Sequence, residues 1–245
     1  MYATLGVLGG MGPAASATFL HELALGTPAE RDQDHVPVIM YADPRVPDRT
    51  AAILGQGPSP LPQLQRGVRF LEDADVACIA LPCNTAHVWL QELRADSRVP
   101  ILSIVESATT RVRHLLSAGE QVGILSTEGT RTSGLYPPAL AEAGLGTVEP
   151  TAAEMEQLVA PAIAAIKGGA LLHGTELLQT AGGLLVERGA AAILIACTDI
   201  SVVLGEAAAL QDRPVIDSTR SLALAAIDAT HGLQPRSTAA HGNRD

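Results

Sequence analysis

Lysine is almost missing: Lys167 is the only one in 245 residues, and the formal net charge is −10. No basic stripe exists that could neutralise phosphates, which argues against a nucleic-acid partner. No apolar run is long enough to span a bilayer, so no membrane partner is expected. MYATLGVLGG at the start has no basic region ahead of its apolar stretch and reads as a first strand instead of a signal peptide. Cysteine is scarce, with three in the chain. Without a secretory signal, three thiols fit a reducing cytoplasm and not a disulfide scaffold. No CxxC or HxxxH pair occurs, and Cys83 with His87 is only a two-ligand fragment, so no metal site is expected. The glycine-rich loop at 9–13 does not meet GxGxxG, and no acidic residue ends a second strand at the expected offset. A dinucleotide site is therefore a poor fit. Aromatics are few, with one Trp, three Tyr and two Phe. What fills the chain is Ala, Leu and Gly, the composition of a globular protein.

Short aliphatic runs bounded by Gly or Pro alternate with longer Ala/Leu-rich stretches. Strands are predicted at 3–8, 36–41, 76–81, 100–104, 121–125, 146–149, 191–196 and 214–216. Helices are predicted at 13–25, 60–73, 85–95, 105–117, 132–143, 152–167, 170–188, 201–208 and 218–230. Such alternation gives an α/β fold with parallel sheets and helices on both faces. The pattern also repeats. TLGVLGGMG (4–12) is similar to QVGILSTEG (121–129), and DVACIALPCNTA (75–86) to AAAILIACTDIS (190–201). A similar separation within each half is what a duplicated unit produces. The tail, 231–245, has no hydrophobic period and is expected to fray, so His231 and His241 carry little weight.

Each copy of the second repeat ends a buried strand on a cysteine, Cys83 in LPCNTAH and Cys197 in IACTDIS. A thiol at the carboxyl end of a parallel strand, facing a helix start, is placed for chemistry more than for packing. The residues that follow, Asn84, Thr85 and Thr198, suit helix capping and equally suit holding an α-carboxylate and ammonium between the thiols. The loop holding Met11, between Gly9 and Pro13, offers backbone N–H groups to an anion or is a tight structural turn. Ser126, Thr127, Gly129 and Thr130 form the matching loop of the second half. Arg49 offers bidentate recognition of a carboxylate, and Lys167 adds a second cation; the alternative for both is solvated surface charge. Cys78 lies inside its strand and reads as a small buried hydrophobe. His87 either stabilises a Cys83 thiolate or packs locally. Asp199 and Glu106 are the acids nearest the site by sequence, and Asp199 either serves Cys197 or caps a helix.

These motifs resemble the aspartate/glutamate racemase family, its aspartate branch most closely. GVLGGMGP with the following Ala and Thr (6–18), the stretch 31–55, LPCNTAH and ACTDISVVL (196–204) match in order and spacing, from about residue 4 to about 230. The glutamate branch typically carries D-S-G in its first loop and CTH in its second motif, where this chain has Met11 and Asp199. The aspartate branch usually reads GCTE where this chain reads ACTD.

The resemblance implies two similar α/β/α domains related by pseudo-two-fold symmetry, with the active site in the cleft between them. The first would comprise 1–104 plus about 210–230, the second 105–209. It implies racemisation without pyridoxal phosphate, other cofactor or metal, with Cys83 and Cys197 as the two acid/base thiols. Arg49 and Lys167 match positions that hold the substrate's side-chain carboxylate. Met11, Asn84, Thr85, Thr127, Thr130 and Thr198 would line the rest of the site, with His87 and Asp199 as auxiliaries. The expected partners are a small acidic amino acid, aspartate before glutamate, and a second copy of the chain in a homodimer. A maleate-isomerase-type enzyme and a non-catalytic amino-acid sensor are the alternatives.

Overall fold

A computed structural model describes residues 2–206 and 210–231 of the chain. Among the described residues eight strands form two all-parallel sheets. The first contains β1 (Leu5–Gly9), β2 (Val38–Ala42), β3 (Cys78–Ala80) and β4 (Ile101–Leu102). The second contains β5 (Gln121–Ser126), β6 (Gly146–Val148), β7 (Ala190–Ala196) and β8 (Val215–Asp217). Their spatial orders are β2-β1-β3-β4 and β6-β5-β7-β8, the same order twice. The fold is therefore α/β with an internal duplication, as the repeat predicts.

Sheet register sharpens that repeat. Leu5 pairs with Cys78 and Val7 with Ala80, while Val122 pairs with Ala192 and Ile124 with Leu194. Cys83 lies five residues after Cys78, and Cys197 five after Ala192. The two thiols are thus structural equivalents, although the ungapped sequence match is one residue out of step.

Strand alternation sorts side chains into three cores. Leu5, Val7, Cys78 and Ala80 meet Val122, Ile124, Ala192 and Leu194 in a central core shared by both halves. Leu8, Ile79 and Leu81 face an outer core of the first half, and Leu125, Ile193 and Ile195 one of the second. The two halves are joined by buried apolar surface, so the cleft between them rests on a continuous core.

The chain ends cross over. Strand β8 pairs with β7 in the second sheet, with Ile193 opposite Val215, so residues 215–217 belong with the second half and not the first as expected. Val215 and Ile216 are buried there, which rewards that pairing. Helix Ser218–Thr230 then turns back and packs on helix Pro13–Gly26 and on β3 and β4. Helix Ile104–Leu115 makes the reciprocal move, packing on β8 and helix Pro137–Ala141.

Local signals explain most element starts. Pro13 opens its helix at the first turn, where its missing N–H is harmless. Ser103, Thr127 and Asp217 cap theirs through side-chain oxygens that accept from Glu106, Thr130 and Thr219 backbone N–H. The predicted helix 132–143 is instead two, Glu128–Ser133 and Pro137–Ala141, because Gly134 takes a left-handed φ of 65° and two prolines follow. The segment after Cys83 begins as a 3-10 turn, Thr85–Trp89, before helix Leu90–Asp96. The predicted helix 201–208 is only a 3-10 turn, Ile200–Val202, and residues 207–208 lie outside the described residues, as do 232–245 with His241. A short helix, Arg49–Ile53, was not signalled by periodicity; Asp48 caps it.

Candidate active site

One cleft lies where the carboxyl ends of both sheets face each other, and both repeat cysteines line it. Its other walls are Met11, Asp48, Arg49, Thr50, Asn84, Thr85, Thr127, Lys167, Thr198 and Asp199. Eight other site residues expected from sequence thus meet both thiols in one place, and Thr130 sits directly behind Thr85. Cys83, Cys197 and Cys78 are all free and buried. Among the described residues no group of three or more His, Cys, Asp or Glu converges as metal ligands.

Two contacts show how the halves interlock. A Cβ on Gly129 would come 2.8 Å from Thr50 Oγ1 and 3.0 Å from Thr85 Cγ2. A Cβ on Gly12 would come 3.0 Å from Asp199 Oδ1. Thr85 and Asp199 each stand two residues after a cysteine, so each half's glycine loop receives the post-cysteine residue of the other half. Only a glycine admits that approach without displacement.

On the Cys83 side, hydroxyls dominate. Thr85 Oγ1 lies 2.9 Å from both Thr127 Oγ1 and Thr130 Oγ1, and Thr127 and Thr130 are 3.0 Å apart. Asn84 Nδ2 donates to Ser218 Oγ at 3.0 Å, and the Tyr136 phenol donates to Asn84 Oδ1. The Cys83 loop is therefore tied by neutral hydrogen bonds to the opposite half.

His87 is neutral and structural. The Cys83 carbonyl lies 2.8 Å from Nδ1, and the Ile104 backbone N–H donates to Nε2 at 2.9 Å. Those partners assign the proton to Nδ1 and leave no charge to offer a thiolate. Burial pushes the imidazole pKa down to about 4. Of the two roles left open by sequence, local packing holds: the ring pins the Cys83 loop to the start of helix Ile104–Leu115. Glu106 is also removed from the chemistry, since its side chain is exposed and pairs with Arg94 at 3.2 Å.

On the Cys197 side, charge dominates. Lys167 Nζ sits 3.4 Å from Asp199 Oδ2, so the chain's only lysine is drawn into the cleft by this carboxylate. Cys197 is pushed up to about 12, first by burial and then by Asp199, with nearby backbone N–H groups and Lys167 opposing weakly. A helix start favours thiolate, but burial outweighs its N–H groups here. Cys197 therefore rests as a thiol.

Arg49 stands at the start of its short helix, with Nη1 donating to the carbonyls of Val46 (3.2 Å) and Pro47 (3.1 Å). Its Nε is buried with no partner among the described residues. An unmet guanidinium donor at a cleft is a natural seat for a carboxylate. Cys78 faces the central core, where burial raises its pKa to about 11, and takes no part in the cleft. Asp48, Thr50, Tyr136 and Ser218 were missed from sequence. The D-x-x pattern of a cap could have flagged Asp48; Tyr136 and Ser218 carry no local signal.

A duplicated α/β fold thus brings one thiol from each half to a shared cleft. Residues 8–226 match the Asp/Glu/hydantoin racemase family, and the chain belongs to it. It is an amino-acid racemase by class. The broad specificity amino-acid racemase RacX of Bacillus subtilis is 29% identical over 229 residues, covering 89% of this chain and 94% of that one. The structure of Picrophilus torridus aspartate racemase superposes with a TM-score of 0.83 at 31% identity, covering 93% and 94% of the two chains. Glutamate racemase from Campylobacter jejuni shares the fold, with a TM-score of 0.64 at 17% identity over 96% and 88% of the chains. No helix among the described residues is long and apolar enough to cross a membrane.

Proposed function

We propose that this protein interconverts L- and D-aspartate, with Cys83 and Cys197 as base and acid on opposite faces of Cα. The convergence of these two equivalent thiols, one from each half, on one cleft carries the reading. Racemisation removes the α-proton from one face and returns a proton to the other, so one sulfur must be thiolate while the other is thiol. Whichever sulfur is thiolate takes the α-proton and the other, as thiol, delivers one to the opposite face, the roles set by the enantiomer bound. The two sulfurs then hold exchanged protonation states, which proton exchange with water resets. The opposite enantiomer runs the sequence in reverse.

The α-proton is a weak acid, so the developing charge on the α-carboxylate needs donors already in place. Asn84, Thr85 and Thr198 line the cleft between the thiols and supply them. The side-chain carboxylate is assigned to the unmet Nε edge of Arg49, with Lys167 beside it. No cofactor enters this scheme. The Bacillus relative's broad specificity favours a second, wider reading of substrate range. Glutamate is the first alternative substrate, and a homodimer is the expected assembly.

Incubation of either aspartate enantiomer in heavy water, read by NMR and chiral chromatography, tests the reaction. Deuterium at Cα with formation of the antipode is expected. Binding without exchange would leave a sensor, and a covalent adduct with a dicarboxylic alkene would leave an isomerase of the maleate type.

A further inference from the structure

We propose that Tyr136 and Ser218 are positioning residues whose hydroxyls fix the carboxamide of Asn84 in the cleft. This rests on the reading above, in which Asn84 touches substrate. Asn84 belongs to the Cys83 loop of the first half. Tyr136 opens helix Pro137–Ala141 and Ser218 opens helix Ser218–Thr230, both reached from the second sheet. The Tyr136 phenol donates to Oδ1, and Nδ2 donates to Ser218 Oγ at 3.0 Å. Both ends of one carboxamide are thus held by hydroxyls from across the cleft.

The burial of these groups makes the arrangement specific. Tyr136 is 1% exposed, Ser218 0% and Asn84 2%, so water cannot replace a lost partner cheaply. Burial also pushes the Tyr136 phenol pKa up, which keeps the donating proton in place at working pH. A carboxamide has two acceptor sites on its oxygen and two donor hydrogens on its nitrogen. The pair of hydroxyls takes one of each and leaves one N–H and one lone pair for a ligand. Rotation of Asn84 about its side chain would break both bonds at once, so the edge offered to the ligand is set before it arrives. Tyr136 is the largest side chain buried to this degree, and Phe would fill the same volume. Packing alone therefore does not call for the hydroxyl.

The test is a double-mutant cycle with Tyr136→Phe, Ser218→Ala and Asn84→Ala. Each hydroxyl deletion is expected to lower kcat/KM for aspartate by about tenfold. In the Asn84→Ala background the same deletions should change it by less than about twofold. Multiplying losses, or no loss in the single variants, would overturn the proposal. A ligand-free readout separates this from the racemase reading: the Asn84 side-chain amide protons, followed by NMR exchange with solvent. Their protection should drop at least about tenfold in both hydroxyl variants. Unchanged protection overturns the clamp, whatever the enzyme proves to catalyse. Should Tyr136→Phe fold poorly, Ser218→Ala alone decides, since it removes one oxygen at a helix start.

Discussion

The two cysteine loops are equivalent in backbone and opposite in chemistry. Both follow the third strand of a 2-1-3-4 sheet, and both press the second residue after the cysteine onto the other half's glycine. Around Cys83 that residue is Thr85, held in a cluster of neutral hydroxyls. Around Cys197 it is Asp199, ion-paired to Lys167. The positions of His87 and Ser201 also correspond; the first accepts the Ile104 N–H, while the second donates to Asp217 Oδ1 at 2.7 Å. Duplication preserved where the sulfurs stand and let their surroundings diverge. Racemisation needs two bases on opposite faces, and nothing in that requirement makes the two environments alike.

If both thiols are needed despite their unlike shells, Cys83→Ala and Cys197→Ala should each reduce racemisation at least about 10³-fold, by chiral chromatography. Retention of racemisation by either variant would break the pairing. The next effect separates the loops by pH. His87 is uncharged in the fold, with its pKa lowered from 6.5 to about 4, so its contribution is present above 6.5 and lost as pH falls through about 4. It amounts to roughly 3 kcal/mol across that window. Asp217, raised from 3.8 to about 6, runs the other way: its contribution is present below 3.8 and lost as pH rises through about 6. Urea midpoints from pH 4 to 7 should therefore show the acid-side loss only as a difference between the wild type and His87→Gln. Identical profiles would remove His87 as the pin of the Cys83 loop.

The interlocking glycines should differ in the same sense. A Cβ at Gly129 meets Thr50 Cα at 2.9 Å, backbone that cannot step aside, whereas one at Gly12 meets only the Asp199 carboxylate. Gly129→Ala should cost about 1–3 kcal/mol in urea unfolding and Gly12→Ala less. The reverse order would show that the hydroxyl side yields more readily than the charged side. The smallest effect is electrostatic. Asp199→Asn removes a charge that holds Cys197 up, so alkylation of Cys197, followed by mass spectrometry, should rise at lower pH than in the wild type. The shift is modest because burial, the larger cause, stays.

Local pattern made much of this legible. Strand-ending cysteines, the glycine loops, Arg49 and Lys167 stood out because each is a residue type whose chemistry is rare at its position. The helix start at Pro13 was readable because its signal acts within one turn, whereas the helix capped by Thr127 was expected only from 132. Tyr136 was hidden because nothing within its own helix needs a phenol; its partner lies 52 residues away. The role of His87 was undecided for a like reason, since Cys83 is close in sequence but Ile104, which fixes its charge state, is not.

The sequence by itself determined an α/β duplication with one thiol in each half, because strand periodicity and strand-end residues are local properties. Tertiary structure alone decided that β8 joins the second sheet and that the final helix returns to the first half. It alone decided that Cys197 rests as a thiol, and that Asn84 is gripped from across the cleft. Each of those outcomes depends on burial and on partners distant in the chain, and neither is written in any one segment.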